Sequence, residues 1–264
     1  MDADILVCDI GNTSIKISFA HSRGILASFA LPSKNGETGD SLGLRLLDIA
    51  RFAKIEPGKI KACVAASVVP SKNGILRDAV RRYLGCPCLF APVDLPIPLR
   101  NEYDRPFEAG ADRLVGAWAA RKIFPDAESL IVIDFGTAVT FDCVAGRSYK
   151  GGLIFPGLES ATRAMSESAA KLPEIDLDMA TGTLEIDRDT ATSMRCGLLF
   201  GYAALAEGLI SLLEKKLPSP PKIVLTGGRA KTINDILNIK RDVVPNLILD
   251  GLRFLYYEKE SGNR

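Results

Sequence analysis

An apolar strand ending in a carboxylate, a glycine and a hydroxyl side chain is written twice in this chain. Ile5-Leu6-Val7-Cys8 runs into Asp9-Ile10-Gly11-Asn12-Thr13, and Leu130-Ile131-Val132-Ile133 runs into Asp134-Phe135-Gly136-Thr137. Each apolar run has the length of one buried strand. At its end the glycine permits a tight turn and a close backbone approach to a ligand. The hydroxyl and the freed N–H groups suit phosphate oxygens, and the aspartate suits a hydrated cation. One such turn alone reads more readily as a plain strand terminator. Two copies constrain the fold, because a duplicated α/β nucleotide-binding architecture needs two strand-turn units of this kind.

The remaining composition narrows the class. A chain of 264 residues has room for one large domain or two of ordinary size, and the internal echo favours two halves. Lys plus Arg number 33 against 32 for Asp plus Glu, with no basic tract, so nucleic acid is not an expected partner. Charges interrupt the apolar runs, so no membrane span is expected, and Asp2 and Asp4 stand where a signal peptide carries positive charge. A cytoplasmic protein is the expectation. The single histidine, His21, falls in a hairpin turn, which argues against Ser-His-Asp hydrolysis and His-rich metal sites. Of the six cysteines, Cys8, Cys63 and Cys143 sit in strand-like runs as small hydrophobes. Cys86-Pro87-Cys88 lacks a second pair at ligand spacing and is a poor zinc site.

Along the chain, periodicity predicts a three-stranded meander over 5–31, a polar loop over 33–40, a helix over 42–52, a strand over 60–69 stopped by Pro70, and a helix over 75–83. The stretch 91–106 holds four prolines and reads as an extended approach to a cleft. Beyond it come a helix over 111–124, a strand over 129–134 and a hairpin formed by 138–144 and 149–154. A long helix over 191–213 follows, then a strand over 223–226 closed by Gly227-Gly228. In the long helix Gly197, Gly201, Ala204 and Gly208 share one face, a row suited to close packing on the sheet or across a dimer. Residues 258–264 read as frayed.

Gly110-Ala111-Asp112-Arg113 opens the helix after the proline-rich stretch. Helix capping explains a carboxylate there equally well. If the two turns hold phosphate, however, a kinase also needs a carboxylate to accept the proton of the attacking hydroxyl and a cation to orient an anionic acceptor, and Asp112 and Arg113 supply both.

Taken together, Asp9 to Thr13, Tyr103 with Pro106, Gly110 to Arg113, Asp134 to Ala138, Gly151-Gly152 with Pro156-Gly157, Asp189-Thr190 and Thr226-Gly227-Gly228 resemble, in order and spacing, the type III pantothenate kinases. The resemblance spans nearly the whole chain. It implies an α/β fold of two ribonuclease-H-like, actin-type ATPase domains around a central cleft. Residues 1–110 would hold the ATP phosphate loop, and 111–264 the second phosphate loop and dimerisation helices of a homodimer. It implies transfer of the ATP γ-phosphoryl group to the primary hydroxyl of pantothenate, giving 4'-phosphopantothenate, the first step of coenzyme A biosynthesis. By the family pattern Asp9, Ile10, Gly11, Asn12, Thr13, Ser14, Ile15 and Lys16 bind ATP, with Asp9 near Mg²⁺, and Thr137 touches ATP. Asp134 matches a site for a monovalent cation, K⁺ or NH₄⁺. Tyr103, Gly110, Ala111, Asp112, Arg113 and Thr190 match substrate-binding positions, with Asp112 as proton acceptor.

One departure stands out. The family usually has Asn where this chain has Asp189, an added negative charge that could weaken binding of an anionic substrate or pair with Arg188 or a metal. Asp142, in the strand after Thr137, reads either as a metal-shell carboxylate or as a hairpin cap. Two other functions fit parts of the pattern: a small-molecule kinase with a different hydroxyl acceptor, and a nucleotide-binding regulatory or accessory protein that kept the fold. Asp9, Asp112 and Asp134 are all present, which favours an active kinase.

Overall fold

The structure, a computed structural model, describes residues 3–33, 36–169, 172–178 and 183–262. The chain divides into two compact units, one made of Met1–Ile123 with Leu247–Arg264 and the other of Phe124–Asn246.

In the first unit β1 (Ile5–Ile10), β2 (Ser14–His21) and β3 (Gly24–Pro32) form an antiparallel meander. Helix α1 (Gly39–Phe52) leads to β4 (Ala62–Ser67), parallel to β1, and α2 (Pro70–Tyr83) leads to β5 (Cys88–Phe90), parallel to β4. The sheet order is β3-β2-β1-β4-β5. A two-residue strand, β6 (Arg100–Asn101), and helix α3 (Ala111–Ile123) complete this stretch. All six residues of β1 are buried because both faces of the sheet are covered. Leu6, Cys8 and Ile10 pack with Leu42, Leu46, Leu76 and Val80 of α1 and α2. Ile5 and Val7 pack on the other face with Val115 and Trp118 of α3 and with Leu249 and Leu252 from the end of the chain. A strand buried on both faces needs a continuous apolar run rather than alternation.

The second unit repeats the plan. β7 (Ser129–Phe135), β8 (Ala138–Ala145) and β9 (Ser148–Pro156) form the meander. Helices α4 (Leu158–Ser168) and α5 (Thr190–Leu213) precede β10 (Lys222–Thr226), parallel to β7, and α6 (Ala230–Asn234) precedes β11 (Asp242–Val243). Within this unit the order β11-β10-β7-β8-β9 is the order of the first sheet, strand for strand. Leu199, Tyr202, Ala203, Ala206 and Ile210 of α5 pack over Ile131, Ile133, Phe141 and Leu225.

Several expectations change. The division expected after residue 110 falls after Ile123, because α3 packs against the chain's last helix, α7 (Leu247–Gly262), and both belong to the first unit. A Cβ on Gly251 of α7 would meet Val115 of α3 at 2.7 Å, so that approach requires glycine. Residues expected to fray from Glu258 stay helical through Gly262; positions 263 and 264 lie outside the described residues. Pro70 begins α2 rather than preceding a later helix, since the first helical position needs no N–H donor. The row Gly197, Gly201, Ala204 and Gly208 is exposed instead of packed on the sheet. Thr190–Lys216 is long and apolar enough to cross a membrane by length and composition, contrary to the expectation that no run qualifies.

Candidate active site

The first turn closes with Gly11 N–H donating to the Ser14 carbonyl at 2.9 Å, and Ser33 N–H donates to the Thr13 carbonyl at 2.9 Å. Asn12 and Thr13 are exposed at its tip, while the side chains of Ile10 and Ile15 lie in the core beneath α1 and α2. Only the backbone of those two isoleucines is placed to meet a ligand at the turn. Asp9 is 8% exposed, and Lys16, its register partner on β2, reaches it at 3.6 Å. Burial pushes the Asp9 carboxyl up to about 6; Lys16 pulls it down and the nearby Asp112 carboxylate pushes it up again.

Asp112 lies in the first turn of α3, in the same unit as Asp9. Its Oδ1 accepts from the Arg113 N–H at 2.8 Å. A Cβ on Gly110 would sit 2.5 Å from that oxygen, so glycine clears the space into which the carboxylate folds back. Burial holds the Asp112 carboxyl above its ordinary range, opposed by the Arg113 N–H and the positive charges of Arg113 and Lys16. Arg113 is itself 8% exposed; its Nη1 donates to the Tyr103 hydroxyl at 2.9 Å, and its guanidinium stands 5.8 Å from the centre of the Tyr103 ring. Asn101 orders the approach by donating to the Pro106 carbonyl and accepting from Tyr103 N–H. Asp9, Lys16, Tyr103 and residues 110–113 thus share one unit.

The second unit carries the other turn. Gly136 N–H donates to the Ala138 carbonyl at 3.2 Å, and the Thr137 carbonyl accepts from both Gly157 N–H and Ser160 Oγ at 3.1 Å. Gly227, at φ +96°, passes so close that a Cβ there would lie 2.3 Å from Asp134 Oδ1 and 2.6 Å from the Phe135 backbone. Asp134 therefore sits in a cradle that any side chain on Gly227 would fill. Ser160 escaped the sequence reading because α4 did: only Leu158 and Thr162 of that helix are buried, too sparse an apolar pattern to announce it.

Thr190 is the first residue of α5, and Asp189 caps that helix by accepting from Thr192 N–H at 2.9 Å. The capping N–H groups hold the Asp189 carboxyl below its ordinary range. The unusual aspartate therefore has a local use that asparagine fills equally well. Asp142, 2% exposed, accepts from Tyr149 Oη at 2.7 Å and Thr140 Oγ1 at 2.9 Å, a clamp between β8 and β9.

Solved structures share this duplicated fold. A candidate Baf family transcriptional activator from Campylobacter jejuni superposes with TM-score 0.61 at 18% identity, covering 97% of this chain and all of that one. A polyphosphate/ATP-glucomannokinase from Arthrobacter does so with TM-score 0.51 at 17% identity over 97% and 99%. The duplicated scaffold is the fold that these structures share, and the family matches that follow make the chain an ATP-dependent kinase. The family model for type III pantothenate kinase matches residues 5–212, and a type III pantothenate kinase from Desulfovibrio desulfuricans is 48% identical over 261 residues, 99% of each chain. The chain belongs to the type III pantothenate kinase family. Its reaction is transfer of the ATP γ-phosphoryl group to pantothenate, the step that opens coenzyme A biosynthesis.

Proposed function

We propose that Asp112 is the base that accepts the proton of the pantothenate hydroxyl, and that Arg113, aligned by Tyr103, holds the pantothenate carboxylate. The observation that carries this reading is the buried Asp112 carboxyl placed beside Arg113, in the unit that also holds the Asp9 turn. Its raised affinity for a proton suits a base that must accept one in the transition state. Residues 9–16 cradle the ATP phosphates through exposed Asn12 and Thr13, the turn's backbone and Lys16; Thr137 serves the second turn, and Thr190 the substrate side.

Two ions fit this set. Among the described residues no three or more His, Cys, Asp or Glu side chains are arranged to hold a metal, which suits Mg²⁺ bound by one carboxylate, Asp9, and completed by ATP phosphates. The buried charge of Asp9 is the kind a cation relieves. A monovalent cation, K⁺ or NH₄⁺, fits the glycine-lined cradle at Asp134. Bound there, the ions supply charge neutralisation for phosphoryl transfer.

We further assign a cytoplasmic homodimer, without nucleic acid or membrane as partner. In support, the small-residue row on α5 is open: nothing lies within 4 Å of a Cβ built on Gly197, Gly201 or Gly208. Light scattering should give twice the chain mass; a concentration-independent monomer refutes the dimer.

The test of the base is a pair of variants. Asp112→Asn should lower kcat by about 10³-fold or more while ATP still binds, and Arg113→Ala should act mainly on the pantothenate KM. Retained turnover in Asp112→Asn, or an unchanged KM in Arg113→Ala, removes that assignment.

A further inference from the structure

The fold gathers cysteines that the sequence keeps apart. Cys63 on β4 stands directly opposite Cys88 on β5, in parallel register, and the Cys8 Sγ lies 3.8 Å from the Cys63 Sγ. The Cys63 thiol is within hydrogen-bonding reach of both Cys8 and Cys88, and Cys86 precedes Cys88 by two residues. All four are free thiols. No set of three or more ligands among the described residues is arranged for a metal, so the chemistry open to this group is thiol–disulfide exchange.

Geometry chooses the pair. Neighbouring strands lie about 4.8 Å apart, which puts the Cα atoms of facing residues inside the span of about 4.4–6.8 Å that a disulfide bridges. Cys63 and Cys88 face each other in this way. Cys8 instead faces Ala65, two positions along from Cys63, so it meets that thiol only diagonally. Access points the same way. Cys8, Cys63 and Cys86 are buried; burial pushes the Cys86 thiol up to about 11, and hydrogen bonds with Cys8 and Cys88, with burial behind them, raise Cys63. Cys88 is partly exposed on a three-residue strand at the sheet edge, where local opening is easiest.

We propose that Cys63 and Cys88 are a redox-sensitive pair, which a low-molecular-weight disulfide joins across β4 and β5 and which slows the kinase when closed. The Cys88 thiolate attacks one sulfur of R–S–S–R, the R–S–S–R bond breaks, RS⁻ leaves, and a mixed disulfide forms. The Cys63 thiol then gives up its proton and displaces the second RS⁻. The balance is one R–S–S–R reduced to two RSH and two cysteine thiols oxidised to one S–S bond. Bringing the sulfurs to about 2.05 Å ties the edge strand β5 covalently to β4. β4 is paired along its length with β1, and Ala66 faces Asp9, so a cross-link on β4 constrains the strand beside the first phosphate turn. The kinetic half of this proposal rests on Asp9 serving that turn; the cross-link itself does not.

The test treats the full chain with glutathione disulfide, alkylates the remaining thiols and maps tryptic peptides. The expected link joins the peptide 62–72 to the peptide 83–100, with a several-fold loss of pantothenate-dependent ATP turnover that dithiothreitol restores and that Cys88→Ala does not suffer. A bond confined to 83–100, a bond from 1–16 to 62–72, glutathione adducts alone or unchanged thiols each overturn the pair. Undiminished turnover with the link formed, or a loss that persists in Cys88→Ala, overturns its effect on the kinase while leaving the assignment of Asp9 and Asp112 intact.

Discussion

The two turns are built from one grammar and stabilised in opposite ways. In the first, a buried carboxylate is balanced by a lysine from the neighbouring strand and crowded by a second carboxylate, so charge dominates. In the second, two glycines and a carbonyl-rich backbone are fitted closely around Asp134, so shape dominates. The two sheets share one strand order, but the turns differ in kind: one holds charge under tension, the other holds space open. Both strategies are local to the end of the first strand of each sheet.

The largest effect expected from this contrast comes from exchanging each carboxylate. Asp9→Asn should lower kcat by about 10²–10³-fold whatever salt is present, whereas Asp134→Asn should abolish any difference between potassium and sodium that the proposed cation site confers and leave basal turnover. Equal behaviour of the two variants in steady-state kinetics would erase the distinction. The same Asp9→Asn change should also raise thermal stability of the unliganded protein at pH 7. The folded chain keeps the Asp9 proton up to about pH 6, whereas the unfolded chain releases it near 3.8. Stability therefore rises as pH falls through that window, and the ionised side chain costs stability above it. Removing the charge should gain on the order of 1 kcal/mol, or about 2–4 °C, and a melting temperature that falls instead would mean that the Lys16 pairing outweighs burial.

Backbone substitutions sharpen the contrast further. Gly227→Ala combines a positive φ with clashes against Asp134 and Phe135 and should cost about 2–3 kcal/mol. In Gly11→Ala the new Cβ meets only the Ser14 carbonyl, at 3.2 Å, for a cost of under about 1 kcal/mol. Similar denaturation midpoints for both would show that the second turn is not the tighter fit. The smallest effect belongs to Asp189. Asp189→Asn keeps the cap and should leave melting and pantothenate KM unchanged, while Asp189→Ala should lower melting by about 2–4 °C. A lower KM in Asp189→Asn would show that the extra charge does repel the substrate.

The turns were legible because their chemistry is local: strand, carboxylate, glycine and hydroxyl are contiguous in Asp9 to Thr13 and in Asp134 to Thr137. Asp112 and Arg113 were legible for the same reason. What the sequence concealed depends on register or on distant packing. The meeting of Cys63 with Cys88 follows from the pairing of β4 with β5, which no spacing along the chain encodes. Helix α7 was hidden because it packs against both the sheet and α3, which blurs a one-sided stripe. The unit boundary was misplaced with it.

That last helix has a consequence for how the protein is made. Arg253 of α7 donates to the Ser22 carbonyl at 2.6 Å, and the Tyr257 hydroxyl donates to Asp4. The face of the first sheet that α3 and α7 cover together is therefore incomplete until α7 emerges, whereas every residue of the second unit precedes α7 in the chain. The second unit can be completed first, and the unit bearing Asp9 and Asp112 closes only after all of the second unit has been made.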